Sequence, residues 1–180
     1  MRACPNCGEE NEDSANFCKH CGTMLSGLSE SEATVQLHAE DEVSGVIARR
    51  LNGIRDRNED AIRALIDKGY TKFDDWPPFT RQESSVALQN EFGAFKVLTR
   101  YDYELTDFNV NIFGEVAIGT FVIHYTGIIR DNPFDITSRV SSVLIRRGTG
   151  WKVIHEHFSR FPEERSQGQY VGPHRRRWGL

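Results

Sequence analysis

Four cysteines in two tight pairs, Cys4-Pro5-Asn6-Cys7 and Cys18-Lys19-His20-Cys21, are all the cysteine in this 180-residue chain. A Cys-x-x-Cys turn aims two thiolates inward, and two such turns supply the four corners of a tetrahedral metal site. Gly8 and Gly22 each follow the second cysteine of a pair, where the turn needs a residue that tolerates positive φ. The stretch from Gly8 to Phe17 leaves room for a short hairpin connection. Zinc is the ion this ligand set favours; iron is the alternative, since a thiolate tetrahedron accepts both. Two disulfides would suit a secreted chain, but Met1 is followed by no charged and then apolar leader. Paired motifs without a βαβ context also argue against a redox dithiol. A site closed by Cys4, Cys7, Cys18 and Cys21 has no open position for a substrate, so the metal is expected to be structural.

A second set of chemically capable residues lies toward the other end. Trp151, Val153, His155, His157 and Ser159 alternate along one β-rich run and share a face by period two. Arg139 stands on the preceding run. Such a face can line a wet pocket, with His157 or His124 as general base and Arg139 holding an anionic ligand. The local alternative has His157 bonded to a backbone carbonyl and Arg139 paired with a carboxylate. Tyr101, Tyr103 and Asp102 are further polar candidates, with Asp102 facing away from the two tyrosines. The expected pocket residues are Tyr101, Arg139, Trp151, His155 and His157.

The elements that must position these groups are legible in the periodicity. Val43, Val46, Ile47, Leu51 and Ile54 recur at three- and four-residue steps, an amphipathic helix. Asn58 reads as the cap of a second helix, with Ala61, Ile62, Leu65 and Ile66 inward, ending at Gly69. Trp76-Pro77-Pro78-Phe79 is a rigid non-helical crossing, and Thr80 with Glu83 has the capping-box spacing for a helix through about Phe95. From Tyr101 the period becomes two. Tyr101–Phe113, Val116–Ile129, Thr137–Arg147 and Trp151–Ser159 read as strands, with turns at Gly114-Glu115 and Gly148-Thr149-Gly150. Helices followed by a meander give an α+β fold, a curved antiparallel sheet packed on N-terminal helices. Both faces of Val116–Tyr125 are apolar, so a second copy is expected over the sheet's back, making a homodimer.

These residues carry two resemblances. Residues 1–25 resemble the small zinc ribbons, with Phe17, Met24 and Leu25 as their apolar content. Residues 41–161 resemble the SnoaL-like branch of the nuclear transport factor 2-like superfamily. The resemblance rests on the helix order, the aromatic-proline crossing, Phe113-Gly114-Glu115-Val116-Ala117, and an ending in which Trp151, His157 and Ser159 follow a glycine turn. It implies a cone-shaped α+β barrel with a pocket between sheet and helices, commonly dimeric. Members include isomerase-like enzymes, polyketide cyclases, dehydratases and non-catalytic binding or oligomerisation modules. The isomerase arrangement of one Tyr with two Asp has no clear counterpart here.

Charge assigns the remaining segments. The chain carries −4 overall. Ser26 to Glu42 holds five acids and neither Lys nor Arg, which reads as an acidic flexible linker over 26–40. The 162–180 tail ends in His174-Arg175-Arg176-Arg177-Trp178, a basic segment able to dock on an acidic surface. Arg2 and Lys19 face Glu9, Glu10, Glu12 and Asp13 in the ribbon, a balance that repels phosphate, so nucleic acid is not the expected partner. Without an apolar run long enough for a bilayer, the chain reads as a cytoplasmic protein with no membrane partner. The expected function is a dimeric, zinc-binding, non-enzymatic module that takes a small ligand in the cone, a protein partner through the ribbon or tail, or both. A small-molecule isomerase, lyase or cyclase using a pocket histidine is the alternative.

Overall fold

The computed structural model describes residues 1–4, 6–15, 17–23, 25 and 30–161, with side chains from residue 36 onward in the first helix. The basic tail read over 162–180 lies outside the described residues. Near the N-terminus, β1 (Arg2–Ala3) and β2 (Glu10–Asn11) pair antiparallel.

The first helix, α1 (Glu30–Arg55), begins well before the expected position, and residues 30–40 are helical rather than linker. Glu40, Asp41 and Glu42 lie on the partly exposed side of this helix, where acidic residues are as well solvated as in a linker. Gln36 donates to Glu40 at 2.8 Å and His38 meets Glu42 at 3.5 Å, both four residues apart, while Ala39 between them is buried. The inward stripe is as expected, with Val43, Val46, Ile47 and Leu51 buried, but Arg50 shares it.

Asn58 caps α2 (Glu59–Leu65), accepting the Ala61 amide at 3.0 Å. The helix stops there. Ile66–Phe73, expected to be helical as far as Gly69, is the strand β3, pairing parallel with the last strand. After the Trp76–Phe79 crossing, β4 (Gln82–Glu83) pairs back on Lys72 and Thr71. That pairing delays α3 to Ser84–Phe95, so Glu83 and not Thr80 is the N-cap residue, and the capping box does not form.

Four long strands follow: β5 (Leu98–Phe113), β6 (Val116–Ile129), β7 (Asn132–Arg147) and β8 (Gly150–Arg160). The turn between β6 and β7 is Arg130-Asp131, with φ of 48° and 65°, a two-residue hairpin type that neither residue announces. The sheet order is β4-β3-β8-β7-β6-β5. Its inner face, with Ala117, Phe121, Ile123, Tyr125, Val140, Leu144 and Phe158, packs on α1 to form the main core. Gly119 belongs to that face because a Cβ there would collide with Ile47. This is the α+β architecture expected, a curved six-stranded sheet closed by helices.

The β7–β8 pairing has one irregularity. Leu144 pairs with Val153 but Val143 pairs with His155, so Ile154 is an extra residue in β8. A bulge reverses which face each later side chain occupies.

Candidate functional site

At the N-terminus the four cysteine sulfurs all lie within 4.8 Å of one another. Cys4 and Cys21 Sγ are 3.6 Å apart, as are Cys7 and Cys18. Four sulfurs at about 2.3 Å from one ion sit about 3.8 Å apart in a tetrahedron, so the cluster fits. Gly8 and Gly22 have φ of 75° and 71°, and their amides return to the Cys4 and Cys18 carbonyls at 2.9 Å, closing the two knuckles. The His20 amide points at Cys18 Sγ from 3.4 Å, and the Asn11 side-chain amide does so from 3.7 Å. Such donors steady thiolate charge.

The histidines and arginine expected in the pocket do not reach it. Beyond the bulge, Glu156 and Phe158 turn inward beside Ser142 and Val140, while His155, His157 and Ser159 turn outward. Trp151 and Val153, before the bulge, remain inside, so the five residues do not share a face. His157 is exposed against Phe73, and His155 Nδ1 bonds the Thr71 hydroxyl at 2.8 Å. Burial pushes the His155 imidazolium down from its ordinary range, with His157 adding to the effect. Arg139 lies over Phe161 on the outside, and His124 pairs with Asp135 at 2.8 Å. Trp151 is core, its indole donating to Glu42 at 3.3 Å. Only Tyr101 of the expected set lines the interior cavity.

That interior is strongly ionic. Arg50, 1 % exposed, grips Glu91 with two bonds of 2.8 and 2.7 Å and reaches Glu156 at 3.1 Å. The Tyr70 hydroxyl donates to Glu156 at 2.6 Å. Lys72 bonds Asp74 at 2.7 Å and Glu91 at 3.3 Å, and its ammonium lies 4.8 Å from the Phe158 ring centre. Asp75 accepts from Tyr125 at 2.6 Å and from Ser138, both at Oδ2. Tyr125 in turn accepts from the Trp76 indole at 3.1 Å.

The loop after β3 therefore holds two adjacent carboxyls in different states. Burial raises the Asp75 carboxyl above its usual range, against the two hydroxyl bonds, and the neighbouring Asp74 charge adds to the rise. Burial works against Asp74 too, but the charge and hydrogen bond of Lys72, together with hydrogen bonds from Asp75 and the Trp76 amide, hold that carboxyl low. Adjacent groups pushed apart in this way are suited to carry and release a proton. They open on a cavity of about 150 Å³ bounded by Ile54, Trp76, Gln82, Asn90, Tyr101 and Phe158. A larger groove of about 740 Å³ on the outside of α3 is bordered by the exposed Arg63, Lys96 and Arg130, away from these carboxyls.

Sequence reasoning missed Asp74, Asp75, Lys72, Arg50, Glu91 and Glu156. One signal was available. Val153 and Phe158, both apolar, are five positions apart, and period two cannot put both inside without an inserted residue. Asp74-Asp75 before Trp76-Pro77-Pro78 was a second.

Comparison with known proteins agrees with this picture. Residues 1–25 match the family model described as a zinc-ribbon domain, and residues 43–164 match the one described as a SnoaL-like domain. The chain belongs to the SnoaL-like domain family. No curated protein matches it. Among solved structures it is similar to a nuclear transport factor 2 (NTF2-like) superfamily protein from Salmonella enterica serovar Typhimurium. That match has 21% identity over 74% of this chain and 99% of the other, with a TM-score of 0.64. A putative dehydratase of the NTF2-like family from Streptomyces avermitilis gives 15% identity, 68% and 95% coverage, and a TM-score of 0.62. The CaMKII hub of S. rosetta gives 22%, 68% and 96%, and 0.58. At these identities the likeness is one of fold. No helix among the described residues is long and apolar enough to cross a membrane.

Proposed function

We propose that this member of the SnoaL-like family is a dimeric binding module, with a structural zinc in its ribbon and one small ligand in its cone. The observation that carries the reading is the state of the cone's ionic groups. Arg50, Lys72, Glu91, Glu156 and Asp74 hold one another, and beside them lies a cavity of about 150 Å³. A cavity of that size takes roughly one benzene-sized molecule. The ribbon, with its closed four-sulfur cluster, serves as a folded contact for a protein partner; the basic tail is a second candidate contact. The half-buried apolar residues on the sheet's outer face, Ile118, Val122 and Val143, favour a second copy there, and one fold neighbour is described as a hub. The test is fragment binding followed by NMR. Ligands that shift the Trp76 and Tyr101 signals in the wild type should lose that effect in the cavity-filling Asn90→Phe variant. Binding that persists in the variant refutes the cone as the site.

A second reading follows from the Asp75 carboxyl, raised beside a lowered Asp74. It is an acid–base enzyme of isomerase, lyase or cyclase type, with Asp75 in the role expected of His157 or His124. One neighbour of the same fold is described as a putative dehydratase. Deuterium exchange at carbon next to a bound ketone, lost in Asp75→Asn, supports catalysis. Binding without exchange leaves the module reading.

A further inference from the structure

We propose that the cone cavity selects a small organic ammonium ion of about benzene size, an inference that rests on the cone being a ligand site. Two features point there together. The first is charge. Four carboxyls converge on the interior, Asp74, Asp75, Glu91 and Glu156, against the two cations Arg50 and Lys72. Arg50 answers Glu91 and Glu156, and Lys72 answers Asp74. Asp75, 5 % exposed, has no cationic partner among the described residues: the Tyr125 and Ser138 hydroxyls donate to one of its oxygens, and its other polar neighbour is the Asp74 carboxyl. A cation entering the cavity would supply the charged partner that these contacts do not.

The second feature is the wall. Trp76, Tyr101, Tyr125 and Phe134 pack as one aromatic cluster, with ring centres 5.5 to 6.5 Å apart. Trp76, Tyr101 and Tyr125 line the cavity directly. Ring faces attract cations, most strongly where water is excluded. The cone already contains one such arrangement, with the Lys72 ammonium over Phe158 and ion-paired to Asp74. A ligand ammonium between Asp75 and the Tyr101 and Tyr125 rings would repeat it. A free anion meets the reverse, since the loop carboxyls repel it and Lys72 is already paired.

Binding is then linked to protons. Asp75 is faced by Asp74 from its own loop, Tyr125 from β6 and Ser138 from β7, while Lys72, Glu91 and Tyr101 line the same cavity and Arg160 of β8 lies 5.0 Å from Trp76. Burial favours the protonated Asp75 when the cavity is empty, and an ammonium favours the ionised form. Affinity should rise as the pH is raised from about 4 towards 7.

Calorimetry with three ring probes tests this on the full chain: piperidinium as the cation, tetrahydropyran as its neutral counterpart, and benzoate as an anion. The expected result is piperidinium binding at least tenfold tighter than tetrahydropyran and tighter still than benzoate. Asp75→Asn should remove that preference, bringing piperidinium and tetrahydropyran to within about twofold of each other. Should the variant fail to fold, the wild-type pH series replaces it, with piperidinium affinity rising with pH and tetrahydropyran affinity flat. Tetrahydropyran or benzoate binding as tightly as piperidinium, and lost in Asn90→Phe, overturns the ammonium inference and leaves the cone as a ligand site. Failure of all three to bind overturns both.

Discussion

Replacing Arg50 by Met tests the interior network most directly. Met keeps an apolar stem in place of the arginine methylenes and lacks the guanidinium, which among the described residues is the one cation bonded to Glu156. That carboxyl is 2 % exposed, and its other donor there is Tyr70. Glu91 keeps Lys72 at 3.3 Å, so Glu156 bears most of the loss. Breaking a buried ion pair from one side costs about 3–5 kcal/mol. The upper limit is set by an escape route, protonation of Glu156. Taking up a proton at pH 7 against an ordinary carboxyl value near 4.3 costs about 2.7 × 1.36, or ~3.7 kcal/mol. At pH 5 the same escape costs only ~1 kcal/mol. In the variant, the folded Glu156 carboxyl is raised above its unfolded value. Its penalty is therefore absent below about pH 4.3 and grows as the pH rises towards the folded value. Urea unfolding followed by circular dichroism at pH 7 and pH 5 measures both numbers. The expected loss is ~3–3.7 kcal/mol at pH 7, shrinking by ~2–2.7 kcal/mol at pH 5. A loss that is equal at the two pH values would refute the ionic argument and assign the effect to packing. Adding Glu156→Gln should recover part of the loss at pH 7, since it removes the stranded charge.

Three other outcomes are expected. A chelator should release about one metal per chain and unfold the ribbon while leaving the thermal transition of residues 43–161 unchanged, with Cys18→Ser giving a metal-free chain; a single collapse of the whole protein on chelation would contradict this. Light scattering at micromolar concentration should report a dimer, and Val122→Glu on the outer face of β6 a monomer; a monomeric wild type removes the dimer. Asp75→Asn should raise the melting temperature at pH 7, and the gain should vanish as the pH falls to about 3.8. The folded Asp75 carboxyl is raised, so its contribution to stability is present below the unfolded value and is lost as pH rises through the folded one. An equal shift at both pH values would mean that charge is not the cause.

Features set by neighbours in the chain were legible in the residues alone. The two Cys-x-x-Cys-Gly knuckles need only local turns, and they converge as their spacing implies. The inward stripe of α1, the Asn58 cap and the antiparallel meander also follow from short-range period and turn chemistry. Acidity misled over 30–40 because a solvated helix face and a solvated linker have similar composition. What remained hidden depended on partners distant in sequence. Ile66–Phe73 becomes a strand because β8 offers it a parallel edge, with Ile66 beside Val153 and Thr71 beside His155, and this overrides a helix-like apolar pattern. The bulge at Ile154 arises where β7 and β8 pair, and it exchanges two histidines for one glutamate inside the cone. Arg50, Lys72, Glu91 and Glu156 lie on four different elements, and each is tolerable in the interior only because the others are there. Sequence determined which surfaces would be apolar and where the thiolates would meet; tertiary structure decided which charges could be buried, because the cost of burying one is met only by a partner that folding brings within about 3 Å.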